Sequence, residues 1–472
     1  MTEVIEITLE EDPNIRIAES RLNAARGAAL VSSGRFDAIL LADATAVDAR
    51  EPTSESESTS SESRSQSTSL SWPLRSGQIL SPSLELQQVV GEPGLSTGTF
   101  SFTVRQPLLQ GRGREAITAE EEASFVEIEA SRLDFVHRVA QRLLAATNQY
   151  WAARAARFDV DVLRDAELRS SQLLETTKRL VEADLTPAAE LIQLEADLVF
   201  RQANRIAGER ALVQTFQELA ATLGLGATQS PHLGLPSDEF PSVDPATLPA
   251  SAEMYLAAAL LNRADLGADR ARLDAARLRL ANAHDSLRPQ LDLVFTPSVT
   301  GLIEDDGLGD ALTAVGSHVP GVSANLSLRF SFPIPNRVAE GDLILSTETV
   351  RQQELLIESS SIQIAADVRS AHDAVRSDAE RVQVLEHSVE LFRETLENEE
   401  KKLRVGSATL IDVINQTDRF TAAQQRLVEA RLSLAQALAT LRFATGTLVR
   451  PDGTGAEAVD VGDLTTIPRG DW

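Results

Sequence analysis

The residues with the best claim to chemistry are acids, and most of them fail on inspection. Glu304-Asp305-Asp306-Gly307-Leu308-Gly309-Asp310 has the composition of a calcium loop but lacks its full ligand spacing, so it reads as solvated loop. The six histidines, His137, His232, His284, His318, His372 and His387, form no metal-spaced pair. Gly111-Arg112-Gly113 is too short for a phosphate loop and lacks the Lys-Ser/Thr that follows one. There is no cysteine, which excludes disulfides, thiol catalysis and thiolate metal sites. No nucleophile elbow occurs. These absences predict neither enzyme nor cofactor. One acid remains notable: Asp412 sits just inside a helix start, where a carboxylate favours the helix dipole.

The helix that begins near Asp412 belongs to a repeated plan. Lys401–Gly446 reads as a helix end, a turn at Val405–Thr409 and a return helix. Lys178–Gly224 follows the same course. Setting Asp184 against Gly406 aligns Glu190 with Asp412, Gln193 with Asn415 and Gly224 with Gly446, without a gap. Pro187 falls where a helix's first turn accepts proline. Farther upstream, Arg21–Arg26 (RLNAAR) returns as Arg272–Arg277 (RLDAAR). The implied layout is a first repeat at 1–225, a Pro/Gly/Ser-rich linker at 226–250, a second repeat at 251–446 and a tail at 447–472.

Within each repeat the same elements recur. A starting helix covers 14–35 in the first and 252–287 in the second. Strands are expected at Phe36–Val47, Thr99–Arg105, Gln290–Val299 and 322–332, where apolar and polar residues alternate with period two. A further strand around Leu84–Val90 is an option. The Ser/Thr/Glu-dominated tract within 51–72 and the polar stretch 301–320 are expected to be solvated loops. Pro107 and Pro333 close the strands that precede the long helices. From Arg114 to Val181 there is neither Pro nor Gly, a helix of about 100 Å at 1.5 Å per residue. A second long helix is expected from Ala339 to Arg404. Its return partner shows a heptad face: Leu427, Leu434 and Leu441, with Ala430, Ala437 and Ala444 between them.

Bulk properties bound the function. A net charge of −26 argues against nucleic acid as a partner. No run of apolar residues is long enough for a membrane-spanning helix, so any insertion must come from strands. Four strands cannot close a membrane barrel alone, and an open sheet in lipid leaves its edges unsatisfied, so copies must share one barrel. Residues 1–30 show no basic segment followed by an apolar one; the expectation is an N-terminus processed, trimmed or mis-started.

With these motifs in place, the chain resembles the TolC-type outer-membrane efflux proteins over roughly 12–448. The resemblance is carried by the strand followed by Gln106–Gly113 (QPLLQGRG), matched more loosely by Phe332–Arg337, and by the turn motifs Val405–Asn415 and Ala183–Gln193. It implies a mainly α fold with a small β part: coiled-coil helical hairpins, and four strands per chain in a trimeric barrel in the outer membrane. It also implies a periplasmic tunnel, an equatorial linker and tail, and partners in a periplasmic adaptor protein and an inner-membrane pump. Asp412 would form a carboxylate ring at the tunnel's constriction, selecting cations and raising the carboxylates' own pKa values by repulsion. Asn415 stands where the family often has a second ring, and Glu190 and Gln193 are the first-repeat counterparts. The tip would consist of Gly406, Ser407, Thr409, Asp184 and Pro187. The arginine and tyrosine that can lock the family's closed state are Ala408 and Leu403 here. The alternative to a channel is a coiled-coil scaffold without a pore. The cargo is not written in these residues.

Overall fold

The computed structural model describes residues 1–52, 54, 58–90, 94–183, 187–226, 234–304, 307–316, 321–451, 456–458 and 465–468. They form two compact units, each drawing on both halves of the chain. One comprises Met1–Leu22, Ala130–Asp269 and Ile357–Trp472; the other comprises Asn23–Glu129 and Arg270–Leu356.

The first unit is helical. It holds α1 (Thr2–Glu11), α4 (Ala189–Thr222), α5 (Glu253–Asn262), α9 (Leu410–Ala444) and most of the two long helices, α3 (Arg114–Glu182) and α8 (Arg337–Arg404). Both long helices match expectation, because nothing in either sequence breaks a helix beyond its first turns. The heptad face of α9 is buried as its spacing requires: Leu427, Ala430, Leu434, Ala437, Leu441 and Ala444 pack with Ile364, Val368, Ala371 and Val375 of α8. Alternating Leu and Ala layers let the two helices lie close.

Both starting helices are split, which the sequence reading did not foresee. α1 and α2 (Pro13–Ser33) part at Asp12; α5 and α6 (Ala264–Ser286) part at Arg263. The register that aligns Arg21–Arg26 with Arg272–Arg277 also aligns these two breaks, whose backbones agree at ψ 117° and 116°. The described part of the linker is packed on the helices. Phe240 stacks on Trp151 at 5.4 Å between ring centroids, and Arg154 Nε donates to the Asp238 carbonyl at 2.7 Å. The start of the tail packs too, with Leu448 and Val449 in a core with Ile5, Ile15 and Val139.

The second unit is built on one antiparallel sheet in sequence order, with six strands where four were expected: β1 (Ile39–Pro52), β2 (Ser58–Pro73), β3 (Ile79–Val90), β4 (Leu95–Pro107), β5 (Gln290–Ile303) and β6 (Gly321–Ser331). The four expected strands are present. The optional strand is β3, and the tract expected to be solvated loop is largely β2. Composition misled there, because the tract's serines fall on alternate positions: Ser63, Ser65, Ser67, Ser69 and Ser71, opposite Val47, Thr45, Asp43, Leu41 and Ile39 of β1. The loop expected at 301–320 is also shorter, since β5 runs to Ile303 and a short helix, α7 (Leu308–Ala314), follows.

Pleating sorts the sheet into two faces. One carries Leu84, Phe100 and Val299 in a cross-strand row, and Leu80, Val104, Phe295 and Leu326 in another. The other carries hydroxyls that bond across strands: Ser83 with Ser101 at 2.6 Å, Thr103 with Thr296 at 3.0 Å, and Ser298 with Ser323 at 2.7 Å. β1 mixes the pattern, as Ile39 and Leu41 share the hydroxyl face.

Core truncation tests the helical unit. Leu438 is fully buried. Leu438→Ala is expected to cost about 2–5 kcal/mol, read as an earlier urea midpoint of the helical circular-dichroism signal. Exposed Leu355→Ala should leave that midpoint in place.

Candidate functional site

The two turns end differently. α8 stops in a double hydrogen-bonded cap: Gly406 N–H donates to the Leu403 carbonyl at 3.0 Å and Ser407 N–H to the Lys402 carbonyl at 2.9 Å. Gly406 has φ +74°, a conformation that costs glycine nothing and other residues about 1 kcal/mol or more. Thr409 then opens α9 as its N-cap, and its hydroxyl accepts the Asp412 N–H at 3.4 Å. In return the Asp412 carboxylate accepts the Thr409 N–H at 3.0 Å and the Thr409 hydroxyl at 2.6 Å. This is a capping box with Asp in the third position. Among the described residues the first turn shows no such cap: α4 starts after Ala188, which makes no side-chain cap bond, and Glu190 N–H reaches the Pro187 carbonyl at 3.2 Å. Asp184 lies outside the described residues.

Helical spacing sorts the residues beyond each turn. On α9, Leu410, Val413, Thr417 and Phe420 face inward, and Asp412 and Asn415 are exposed. On α4, Leu194 is buried, Glu190 is half-buried and Gln193 is exposed. Leu174 of α3, Leu194 and Leu410 close one small core, with Leu403 of α8 against it. The two hairpins therefore pack together beside their turns. The polar residues singled out by alignment stand in the first two turns of the return helices, Glu190 and Asp412 in the first and Gln193 and Asn415 in the second, and those of α9 lie off the packed face.

Electrostatics at Asp412 run opposite to the ring expectation within one chain. The hydrogen bond from the Thr409 side chain, joined by the Thr409 backbone and by Lys402, holds its carboxyl below the usual range. A lowered folded-state pKa favours the ionised form. Its contribution is complete above the ordinary carboxylate range and is lost as pH falls through the lowered value.

One polar cluster was missed. Arg201 of α4 is almost fully buried; its Nε donates to Asp197 at 2.8 Å and its Nη2 to Asp418 of α9 at 3.1 Å. Ser170 of α3 donates to the same Asp197 carboxylate at 2.7 Å. Arg201 follows Leu194 by seven residues, so the inner stripe of α4 was visible in its spacing, but a buried arginine is uncommon enough to be read as surface. At the other junctions, Pro107 ends β4 and is buried, and Leu108 N–H bonds the Leu291 carbonyl at 2.7 Å; Pro333 follows β6 and is exposed.

The profile of the outer membrane efflux protein family matches residues 255–447, which include α5, β5, β6, α8 and α9 with its capped turn. Over that stretch, less than half of the chain, the sequence is similar to outer membrane efflux proteins. TolC of Salmonella enteritidis is 25% identical over 185 residues, 38% of this chain, and the matched stretch spans 36% of that relative. The Campylobacter jejuni CmeC outer membrane channel superposes with a TM-score of 0.69 at 14% identity, covering 94% of this chain and 85% of that one. VceC, an outer membrane protein of Vibrio cholerae, superposes at 0.68 with 16% identity, covering 94% and 95%. At these identities the structures establish the fold alone, helical hairpins with an antiparallel sheet. The profile does not reach the first repeat.

Thr409→Ala removes one half of the capping box. The Asp412 amide should then exchange faster with solvent, and the Asp412 carboxyl should titrate nearer the ordinary range, both by NMR of an isotope-labelled chain.

Proposed function

We propose that the chain is one subunit of an outer-membrane channel. Three copies would form a β-barrel and an α-helical periplasmic tunnel that export small molecules or proteins delivered by an inner-membrane pump through a periplasmic adaptor. The observation that carries this reading is the sheet: one face apolar, the other hydroxylated, with β1 and β6 at its edges. Along β6, Val322, Leu326, Leu328 and Phe330 are all exposed. A solvated sheet would gain nothing from that row, whereas lipid would cover it. Lipid leaves an edge's N–H and C=O groups unpaired, so β6 of one copy pairs with β1 of the next.

The helices support assembly independently. Ile192, Val199, Ile206 and Val213 of α4 recur every seven residues, and each is more than half exposed. They lie two residues from the inner stripe of Leu194 and Arg201, on the opposite side of the helix. A second heptad seam on the outside of a helix calls for another helix, which a sister chain supplies. A pore-free scaffold would use that seam but would give the two-faced sheet no role.

In this reading Asp412 faces the tunnel, and three copies make the carboxylate ring, with Asn415, Glu190 and Gln193 nearby. Ring repulsion would act against the downward pull of Thr409 on its pKa. The 226–250 segment and the tail after 447 form the equatorial region.

Two measurements test this. The chain expressed with an export signal should fractionate with outer membranes and conduct in planar bilayers, and Asp412→Asn should lower its cation-over-anion permeability several-fold. A water-soluble product that needs no detergent would overturn the channel, while unchanged selectivity would remove only the ring. Val199→Asp with Ile206→Asp should shift the detergent-solubilised particle toward monomer by light scattering.

A further inference from the structure

We propose that the β2–β3 hairpin is part of the membrane wall, so that each chain contributes six strands and the pore is correspondingly wide and faced with serine. This rests on the channel reading above and specifies what kind of channel it is.

The hairpin is not an appendage. β1 is bonded to β2 along its whole length, and β3 to β4, so β1 reaches β4 within the sheet only through the hairpin. Its faces continue those of its neighbours. Leu80 and Leu84 join Val104 and Phe100, while Ser81 and Ser83 join Thr103 and Ser101. An external hairpin would have no reason to keep the two faces of β3 in phase with those of β4, or the serines of β2 on the hydroxyl face of both.

Its turn is also tied down. Arg75 clamps Glu121 of α3 through two bonds, Nε at 2.8 Å and Nη2 at 2.6 Å, and the Glu121 side chain is 6% exposed. The same guanidinium lies 4.8 Å from the centre of the Phe36 ring. Gly77 has φ +90°, and a Cβ there would stand 2.3 Å from the Gly111 carbonyl oxygen. The turn therefore seats against the loop that leads into α3, as a wall strand's turn must.

Parity completes the argument. Strands alternate in direction, and six is even, so β6 and the next copy's β1 meet antiparallel and the cylinder closes without a mismatched seam. Barrel diameter grows roughly in proportion to strand number, so six strands per chain in place of four give about 1.5 times the circumference and roughly twice the open cross-section. Three copies would supply about 18 strands, a size that leaves an aqueous channel. The added wall is lined mainly by Ser63, Ser65, Ser67, Ser69, Ser81 and Ser83, with Glu85 beside Ser67 and Asp43 of β1 on its other side. The exit suits bulky hydrophilic cargo.

The test compares the full chain with a variant lacking residues 54–91, which joins antiparallel β1 directly to β4. In planar bilayers the full chain should conduct about twice as well and admit larger polyethylene glycols. Equal conductance and equal polymer cut-off would overturn the proposal. Silence from the full chain would overturn the channel reading, and this with it. A measurement on the full-length chain covers failure of the shortened one to insert. The cysteine-free background allows single probes. A membrane-impermeant maleimide should modify Ser67→Cys and reduce conductance while sparing Leu70→Cys; equal labelling of both with unchanged conductance places the hairpin outside the wall.

Discussion

An extended backbone carries donors and acceptors along both sides, and lipid offers neither water nor partners to the outermost strands. The rest of this molecule can be read as a response to that constraint. In the proposed channel one face of the sheet would meet hydrocarbon and the other water. Its even strand number would let copies continue the ladder in the same alternating sense. The outer apolar seam of α4 would be covered by a helix of a sister chain. Such an assembly would cover large apolar residues that are exposed in a single copy.

Much of this was legible before any coordinates. The Leu/Ala heptad of α9 and the alternation of β6 are strong periodic signals, and both elements fall where the periods put them. The gap-free alignment of the two turns put Glu190, Gln193, Asp412 and Asn415 near the starts of the two return helices, and they stand in the first two turns of each. What failed was reasoning from composition. Ser58–Pro73 has almost none of the β-branched and aromatic residues that mark strands, so it looked like solvated loop. It forms a strand because its neighbours supply the ladder and its serines need only to alternate, a case of tertiary context overriding propensity. The breaks at Asp12 and Arg263 were missed for a related reason: neither is a glycine or proline, and only Pro13 hints at the first.

The capping box shows how local chemistry and assembly can make different demands on one residue. Alignment picks out Asp412 for what three copies would do together. The geometry of one chain gives it an immediate task, holding the first turn of α9 through Thr409. The two roles are compatible, since a carboxylate has lone pairs enough for a cap and for a passing cation. Near its counterpart Glu190, Ala188 at the N-cap offers no side-chain cap bond.

The arginine between the hairpins bears on movement. Asp197 rides on the same helix as Arg201, whereas Asp418 belongs to α9 and is itself half exposed. If α9 swings away from α4, the guanidinium keeps one counter-ion and the departing carboxylate passes into water. Neither charge is stranded in a dry interior, the circumstance that makes rupture of a buried pair so costly. Parting this joint would therefore cost less than breaking an ion pair whose two charges are both enclosed, a clasp in place of a weld.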